Sequence, residues 1–325
     1  MEDELNLEIN DVNINENRDY GENFMEEENE VVSDISELPL GKELSLEMCY
    51  KITCRSKSNL IVVAGPSDCG KTTLITTIYQ KFQKGPVNNY NFAGSETLQG
   101  FEQRAFLSRV DSNMEEAQTP KTRRGVTDFL HLRVFNSNNK KFTDLLITDF
   151  SGEDYSSAIG NVSMMKKEFG VIRSAKNILI IIDGEKVSQK ETKFGEIENA
   201  LDLLTTVIDA GLLSKFTSVE VSVSKYDILI SNLGGDNEVE KLLDYIRKRF
   251  EDRFKENIKM LNFSKVAAMP NETKEIPVAY GLDGILSSWV EENSVDEESL
   301  NDVVLVENLS SQFNLFKMRL VEVTE

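Results

Sequence analysis

The chain has 325 residues and a formal net charge of −20 at pH 7, with 56 acidic against 36 basic side chains, three cysteines and one histidine. So negative a surface repels phosphate backbones and anionic lipids, which argues against nucleic acid or a membrane as partner. No run approaches the roughly eighteen apolar residues of a membrane span, and this cysteine and histidine count supports neither a disulfide framework nor a zinc site.

The charge is unevenly spread. Residues 1–40 hold fourteen acidic side chains and one arginine, a net of −13, which leaves −7 for the rest. Residues 1–44 are rich in Asn and Glu and poor in aromatics, too polar to offset chain entropy by burial, and are expected to form an acidic disordered tail. The alternation in "LNLEINDVNI" leaves open a segment that folds on a partner. The opening "MEDELNLEIN" has no basic region and no apolar core, so the expectation is a cytoplasmic protein with reduced thiols.

From residue 45 to 293 strands alternate with helices. "MCYKITC" and "NLIVVAG" read as strands and "KTTLITTIYQKFQ" as the first helix. "ETLQGFEQRAFLSRV" follows as a helix with Ser95 as its N-cap. "DFLHLRVF" and "FTDLLITDF" read as strands, and "KNILIIID", apolar without a break, as a strand buried on both faces. "GEIENALDLLTTVIDAGLL" is a helix, "SVEVSVS" a strand, "EVEKLLDYIRKRFEDRF" a helix and "IKMLNFSKVAA" a strand. "LDGILSSWVEE" is the last helix, with Trp289 in the core. The expected fold class is α/β, a mostly parallel sheet with helices on both faces. Residues 294–325 begin acidic and turn apolar, a C-terminal extension that packs on the domain or on a partner.

Three motifs carry chemistry. The first is "GPSDCGKTT", in which Gly65, Pro66, Ser67, Asp68, Cys69, Gly70, Lys71 and Thr72 fit the phosphate-loop pattern G-x-x-x-x-G-K-[ST], with Thr73 next. The loop lies between an apolar strand and a helix. Glycines let the backbone approach phosphates, and the helix N-terminus faces their charge. Lys71 is expected to reach the outer phosphates and the Thr72 hydroxyl to bind Mg²⁺. The second is "LLITDFSGE", a D-x-x-G at a strand end. There Asp149 is expected to hold Mg²⁺ through a water, and Gly152 to offer its N–H to the third phosphate. The third is "VEVSVSKYD". Its Ser224-Lys225-Tyr226-Asp227 fits [NTS]-K-x-D, where the Asp227 carboxylate can accept from both the ring N–H and the amine of guanine. Adenine has no donor there, so a buried unpaired Asp rejects it. The Lys225 stem is expected over the base. A surface loop is the alternative for this motif taken alone.

The order of these motifs is that of the Ras-like and translation-factor-like GTPases. Together with "FAGSETLQGFEQRAF", "TPKT", "FLHLRV", "DFSGEDY" and "YGLDGILSSWV", the chain resembles bacterial TRAFAC-clade GTPases of the double-GTPase type over roughly residues 49–293. The resemblance implies a phosphate-loop GTPase domain, a companion GTPase or other protein effector as partner, and a role in multi-component, defence-type systems. By the same resemblance "SKVAAMP" supplies the loop whose backbone touches the guanine oxygen, at Ala267 and Ala268, although small residues there also suit strand-end packing.

Several positions depart from the pattern. Thr127, before the strand "DFLHLRV", is the expected Mg²⁺ ligand of switch one, with Thr122 as the alternative. Arg123 and Arg124 either act in cis on transition-state charge or form a solvated basic turn. Glu153 stands where Ras-like enzymes orient water with Gln, so hydrolysis should be slow or need a partner. Asp68, two residues before Gly70, either helps hold K⁺ beside the phosphates or turns away to bond backbone N–H groups or the arginines. His131 reads as a packed or hydrogen-bonded strand residue. The expected function is a GTP-binding, slowly hydrolysing switch. The alternatives are a non-catalytic GTP-dependent scaffold, or an ATPase if Ser224–Asp227 is a surface loop.

Overall fold

The sheet is built around one seven-residue strand. In the computed structural model, which describes residues 41–106, 128–148, 150–271 and 275–291, β1 (Ser58–Ala64) lies between two parallel neighbours, β4 (Lys141–Thr148) and β5 (Asn177–Asp183). Beyond β5 the sheet continues in parallel with β6 (Ser218–Ser224) and β7 (Met260–Lys265). Beyond β4 it turns antiparallel with β3 (Phe129–Asn136) and β2 (Tyr90–Gly94), giving the order β2-β3-β4-β1-β5-β6-β7. The fold is therefore α/β with a mostly parallel seven-stranded sheet, as the alternation of patterns predicts.

Successive side chains of a strand point to opposite faces, and the core divides accordingly. Val62, Ile178, Ile180, Ile182, Val219 and Val221 face one layer, which holds α4 (Gly152–Ala158), α5 (Val162–Glu168), α7 (Lys193–Asp209) and α9 (Asp236–Phe254). Ile61, Val63, Leu179, Ile181, Leu145 and Ile147 face the other, with α2 (Lys71–Lys84), α3 (Leu98–Phe106) and α10 (Leu282–Val290). Every residue of β5 is buried, which is why its sequence lacks polar alternation. Trp289 on α10 is fully buried, as expected.

The structure corrects the sequence reading at the start of the domain. "MCYKITC" is not a strand but part of α1 (Leu46–Thr53). Its Tyr, Ile and Thr favour strands, yet Ser45 caps the helix by accepting from Met48 N. Cys49 and Ile52, one helical turn apart, pack on Leu44, Phe129 and Leu146. Leu44 already pairs with Phe129 through both backbone bonds, so packed chain begins ahead of the boundary expected at residue 45. Ser95 does not cap α3, which starts three residues later. It instead holds the preceding turn, donating to His131 O at 2.6 Å and accepting from Thr97 N at 2.9 Å.

His131 occupies a buried polar cluster between β3 and β4. Its Nδ1 accepts from Glu96 N at 2.9 Å, which leaves Nε2 to donate to Asp144 Oδ1 at 2.8 Å. Ser56 Oγ donates to the other Asp144 oxygen. The expectation of a hydrogen-bonded strand histidine holds.

Candidate functional site

In a parallel sheet the strand C-termini share one edge, and the crevice opens where neighbouring strands connect in opposite directions. Here that point flanks β1, whose neighbours β4 and β5 lie on opposite sides. The three motifs occupy the residues that follow β1, β4 and β6.

Beyond Ala64 the loop from Gly65 to Gly70 turns back into α2. Asp68 (φ 62°) and Gly70 (φ 94°) adopt left-handed backbone. A Cβ built at Gly70 meets no described atom within 4 Å, so the space beside Gly70 is open. Gly70, the N-cap of α2, has no side chain with which to cap it, and the positive end of the helix dipole lies at this loop. Lys71 Nζ folds over the loop, donating to Gly65 O at 3.0 Å and Pro66 O at 2.7 Å. Lys71 and Thr72 are both buried. The Cys69 side chain points into the core, and burial pushes its thiol up to about 11, so it remains protonated at neutral pH. This donor set fits a polyphosphate: backbone amides, one ammonium and one hydroxyl, with open space before them.

Gly152 opens α4 directly against this loop. A Cβ there would stand 2.3 Å from Ser67 N and 2.5 Å from Pro66 C. Ser151 caps α4 by accepting from Glu153 N at 3.3 Å, which sets Glu153 in the first turn beside the loop. Behind them Tyr155 stacks on Phe169 with ring centres 4.7 Å apart. Asp149, Thr122, Arg123, Arg124 and Thr127 lie outside the described residues. Of the expected Mg²⁺ ligands, Thr72 alone has a described position.

The S-K-Y-D motif begins at the end of β6. β6 ends at Ser224, whose Oγ donates to Cys69 O in the phosphate loop at 2.7 Å. Lys225 takes left-handed backbone (φ 48°, ψ 44°) and precedes α8 (Tyr226–Leu233). Asp227, in the first turn of α8, accepts from Asn271 N at 3.0 Å. Ala267 is committed: its N–H and C=O both pair with Tyr280. It cannot then also donate to a base oxygen, and of the two expected alanines only Ala268 keeps its N–H outside this pairing. Tyr226 and Tyr280 stack at 5.6 Å behind the loop.

Sequence reasoning passed over Asp183, which ends β5, and Gly184 and Glu185, which open the next helix; all three lie against Lys225. Their signal was present in "IIIDGE", an apolar strand ending in an aspartate, as the strand that leads to Asp149 does.

A phosphate loop after the central strand, a glycine of D-x-x-G packed on that loop and an S-K-Y-D turn bonded to it define a phosphate-loop GTPase domain. The Double-GTPase 2 family model matches residues 59–290, and the chain belongs to that family. The family carries with it a GTP-binding, GTPase-type function for the domain. No curated protein matches the chain. Among the described residues no helix is long and apolar enough to cross a membrane.

Proposed function

We propose that the protein is a molecular switch that binds GTP with Mg²⁺ and hydrolyses it slowly, signalling to a protein effector or a companion GTPase in the cytoplasm. The observation that carries this reading is the contact of Gly152 with Pro66 and Ser67. A third phosphate seated at the front of the loop meets the first turn of α4, so its presence or loss is felt by α4 and by the segment that leads to β3. Lys71 releases the Gly65 and Pro66 carbonyls and turns its ammonium to the phosphates. Thr72 and Thr127, with Asp149 through a water, would hold Mg²⁺, which would supply charge neutralisation at the outer phosphates. Asp227 reads the guanine edge and Ala268 offers its N–H to the guanine oxygen. Arg123 and Arg124 are placed in sequence to act on transition-state charge.

Glu153 is the reason for slow turnover. A carboxylate cannot orient the attacking water as an amide does, and it repels the third phosphate unless a cation intervenes. The experiment is phosphate release at saturating GTP, alongside competition of a labelled guanine nucleotide by GTP and ATP. Slow release that a partner accelerates supports the switch. No release under any condition, with tight GTP binding, supports the scaffold. Equal competition by ATP removes the guanine reading.

A further inference from the structure

The turn after β5, Asp183-Gly184-Glu185, lies against the turn after β6 that carries the base-reading motif. Asp183 and Ser224 are register partners at the ends of paired strands. A Cβ at Gly184 would stand 2.1 Å from Ser224 O and 3.1 Å from Lys225 O, so only glycine permits so close an approach. The residues on either side of that glycine are both carboxylates, and both end on the same ammonium. Lys225 Nζ donates to Asp183 Oδ2 and to Glu185 Oε2, each at 2.9 Å. The second Asp183 oxygen accepts from Glu185 N at 3.0 Å, which caps α6 (Gly184–Ser188) and fixes the backbone from which Glu185 reaches.

Lys225 is thus held at both ends. Its Cα is set by left-handed backbone at the head of α8, and its ammonium by two carboxylates. Burial alone would lower the Lys225 pKa, but the hydrogen bonds to Asp183 and Glu185 outweigh it and the pKa is raised, so the contacts persist at neutral pH. A four-carbon stem fixed at both ends has few rotamers left to lose when something packs against it. Asp183 is almost wholly buried, and its two oxygens are taken up by Lys225 and Glu185 N.

We propose that Asp183 and Glu185 are positioning residues for base recognition: they pin the Lys225 stem as a rigid apolar wall for the face of a purine, two residues before the carboxylate of Asp227 that reads its edge. The inference rests on Ser224–Asp227 being the guanine reader. The two acids act through Lys225. They strengthen the part of the affinity that comes from the base and leave the part that comes from the phosphates alone.

The test is calorimetric binding of GDP, ADP and inorganic tripolyphosphate, which has no base, to the full chain. The variants are Glu185→Gln, Asp183→Asn, Lys225→Met and the double variant Glu185→Gln/Lys225→Met. Glu185 is half-exposed, so Glu185→Gln preserves the fold; Asp183→Asn is read only alongside an unchanged melting temperature. The expected result is a loss of GDP affinity of about 3- to 10-fold in each acid variant, with tripolyphosphate binding unchanged within about twofold. In the Lys225→Met background Glu185→Gln should have no further effect, because its partner is gone. The proposal is overturned if Glu185→Gln leaves GDP binding unchanged, weakens both ligands equally, or adds its full effect to that of Lys225→Met. If the wild type binds ADP as tightly as GDP, the guanine reading falls and takes the inference with it. Wild-type preference for GDP with an inert Glu185→Gln overturns the inference alone.

Discussion

The Ser224 hydroxyl donates to the carbonyl of Cys69 across 2.7 Å, so the residue that opens the base-reading motif is bonded to the phosphate loop. The bond is buried and joins β6 to a loop 155 positions earlier in the chain. Ser224→Ala leaves the Cys69 carbonyl unpaired and should remove about 1 kcal/mol. That corresponds to a melting temperature lower by about 2–4 °C; separately, GTP and GDP affinities should fall by about two- to fivefold as the loop loses its tie to the motif. Ser224→Thr keeps the hydroxyl and should restore most of both. Calorimetry and thermal melts on the three proteins check it; wild-type affinity in the alanine variant would detach the motif from the loop.

Asp227→Asn should transfer preference from guanine to xanthine nucleotide. The substitution turns one acceptor into a donor, and xanthine presents a carbonyl where guanine presents its amine. The site offers room for this exchange because Asp227 already accepts a backbone N–H, from Asn271, and the asparagine oxygen can keep that bond. GTP affinity should fall by about 100-fold or more, as expected when a buried donor loses its acceptor. A competition series with GTP, XTP and ATP reads the outcome, and an unchanged order of preference would exclude Asp227 from the site.

The three motifs were legible because each sits at the end of an apolar strand, and strand ends in a parallel sheet converge. The runs "LIVV" and "ILIII" placed β1 and β5 without ambiguity. Short elements were not legible. β2 is spelled "YNFAG" after a stretch of Pro, Val and Asn that reads as a loop, and it is an edge strand with Phe92 partly exposed. α1 was misread because its strand-favouring residues spoke locally, whereas its fold is decided by Phe129 and Leu146, far away in sequence. The commitment of Ala267 to Tyr280 is likewise a tertiary fact. So is the grip of Asp183 and Glu185 on Lys225, which depends on two turns meeting across a register that no local pattern reports.

The Asp144 cluster gives a prediction on stability against pH. Burial alone would raise the Asp144 pKa, but the hydrogen bonds from His131 and Ser56 and the charge of Arg133 outweigh it, so it lies below its ordinary 3.8. The folded pKa is below the unfolded one. Its contribution to stability is therefore present above about pH 4 and is lost as pH falls through the folded value. Asp144→Asn breaks a buried hydrogen-bonded network and should destabilise the protein at pH 7 by about 3 kcal/mol. The gap between variant and wild type should then close on acidification below pH 4. Denaturant melts from pH 2.5 to 7 check the shape; a gap independent of pH would show that the carboxylate charge is not what the cluster holds.

Asp68 carries the prediction of a monovalent cation. It is exposed and left-handed at the turn of the phosphate loop. An acidic side chain beside a triphosphate is repelled by about 1 kcal/mol in water, and by more in a drier site, unless a cation lies between them. We expect GTP turnover at fixed ionic strength to be higher in K⁺ than in Na⁺ or choline, and the K⁺ stimulation to vanish in Asp68→Ala. Equal rates in all three salts for the wild type would assign Asp68 to the turn alone.

Gly152 should separate the triphosphate state from the diphosphate state. A methyl group there would fall 2.3 Å from Ser67 N, 2.5 Å from Pro66 C and 2.7 Å from Ser67 Cα, all backbone atoms. No side chain can swing aside to admit it, so either the loop or α4 must retreat. The loop is tied by Ser224 at Cys69 and by Lys71 at Gly65 and Pro66. α4 is tied through Tyr155, packed on Phe150 and Phe169. Retreat of the front of the loop is the easier route once Lys71 turns to a ligand, since Lys71 then no longer draws in the Gly65 and Pro66 carbonyls. The atoms nearest the new methyl group belong to Pro66 and Ser67, before the amides at the head of α2 in the chain, so Gly152→Ala should bind GDP within about threefold of wild type. The front of the loop, where Gly152 is to meet the third phosphate, is where the displacement falls. GTP affinity should therefore drop by about tenfold or more, and phosphate release should fall with it. Titrating both nucleotides into both proteins, with single-turnover phosphate release alongside, measures the split. If Gly152→Ala binds GTP and GDP in the wild-type ratio and turns over normally, Gly152 takes no part in sensing the third phosphate and the switch must be sought elsewhere.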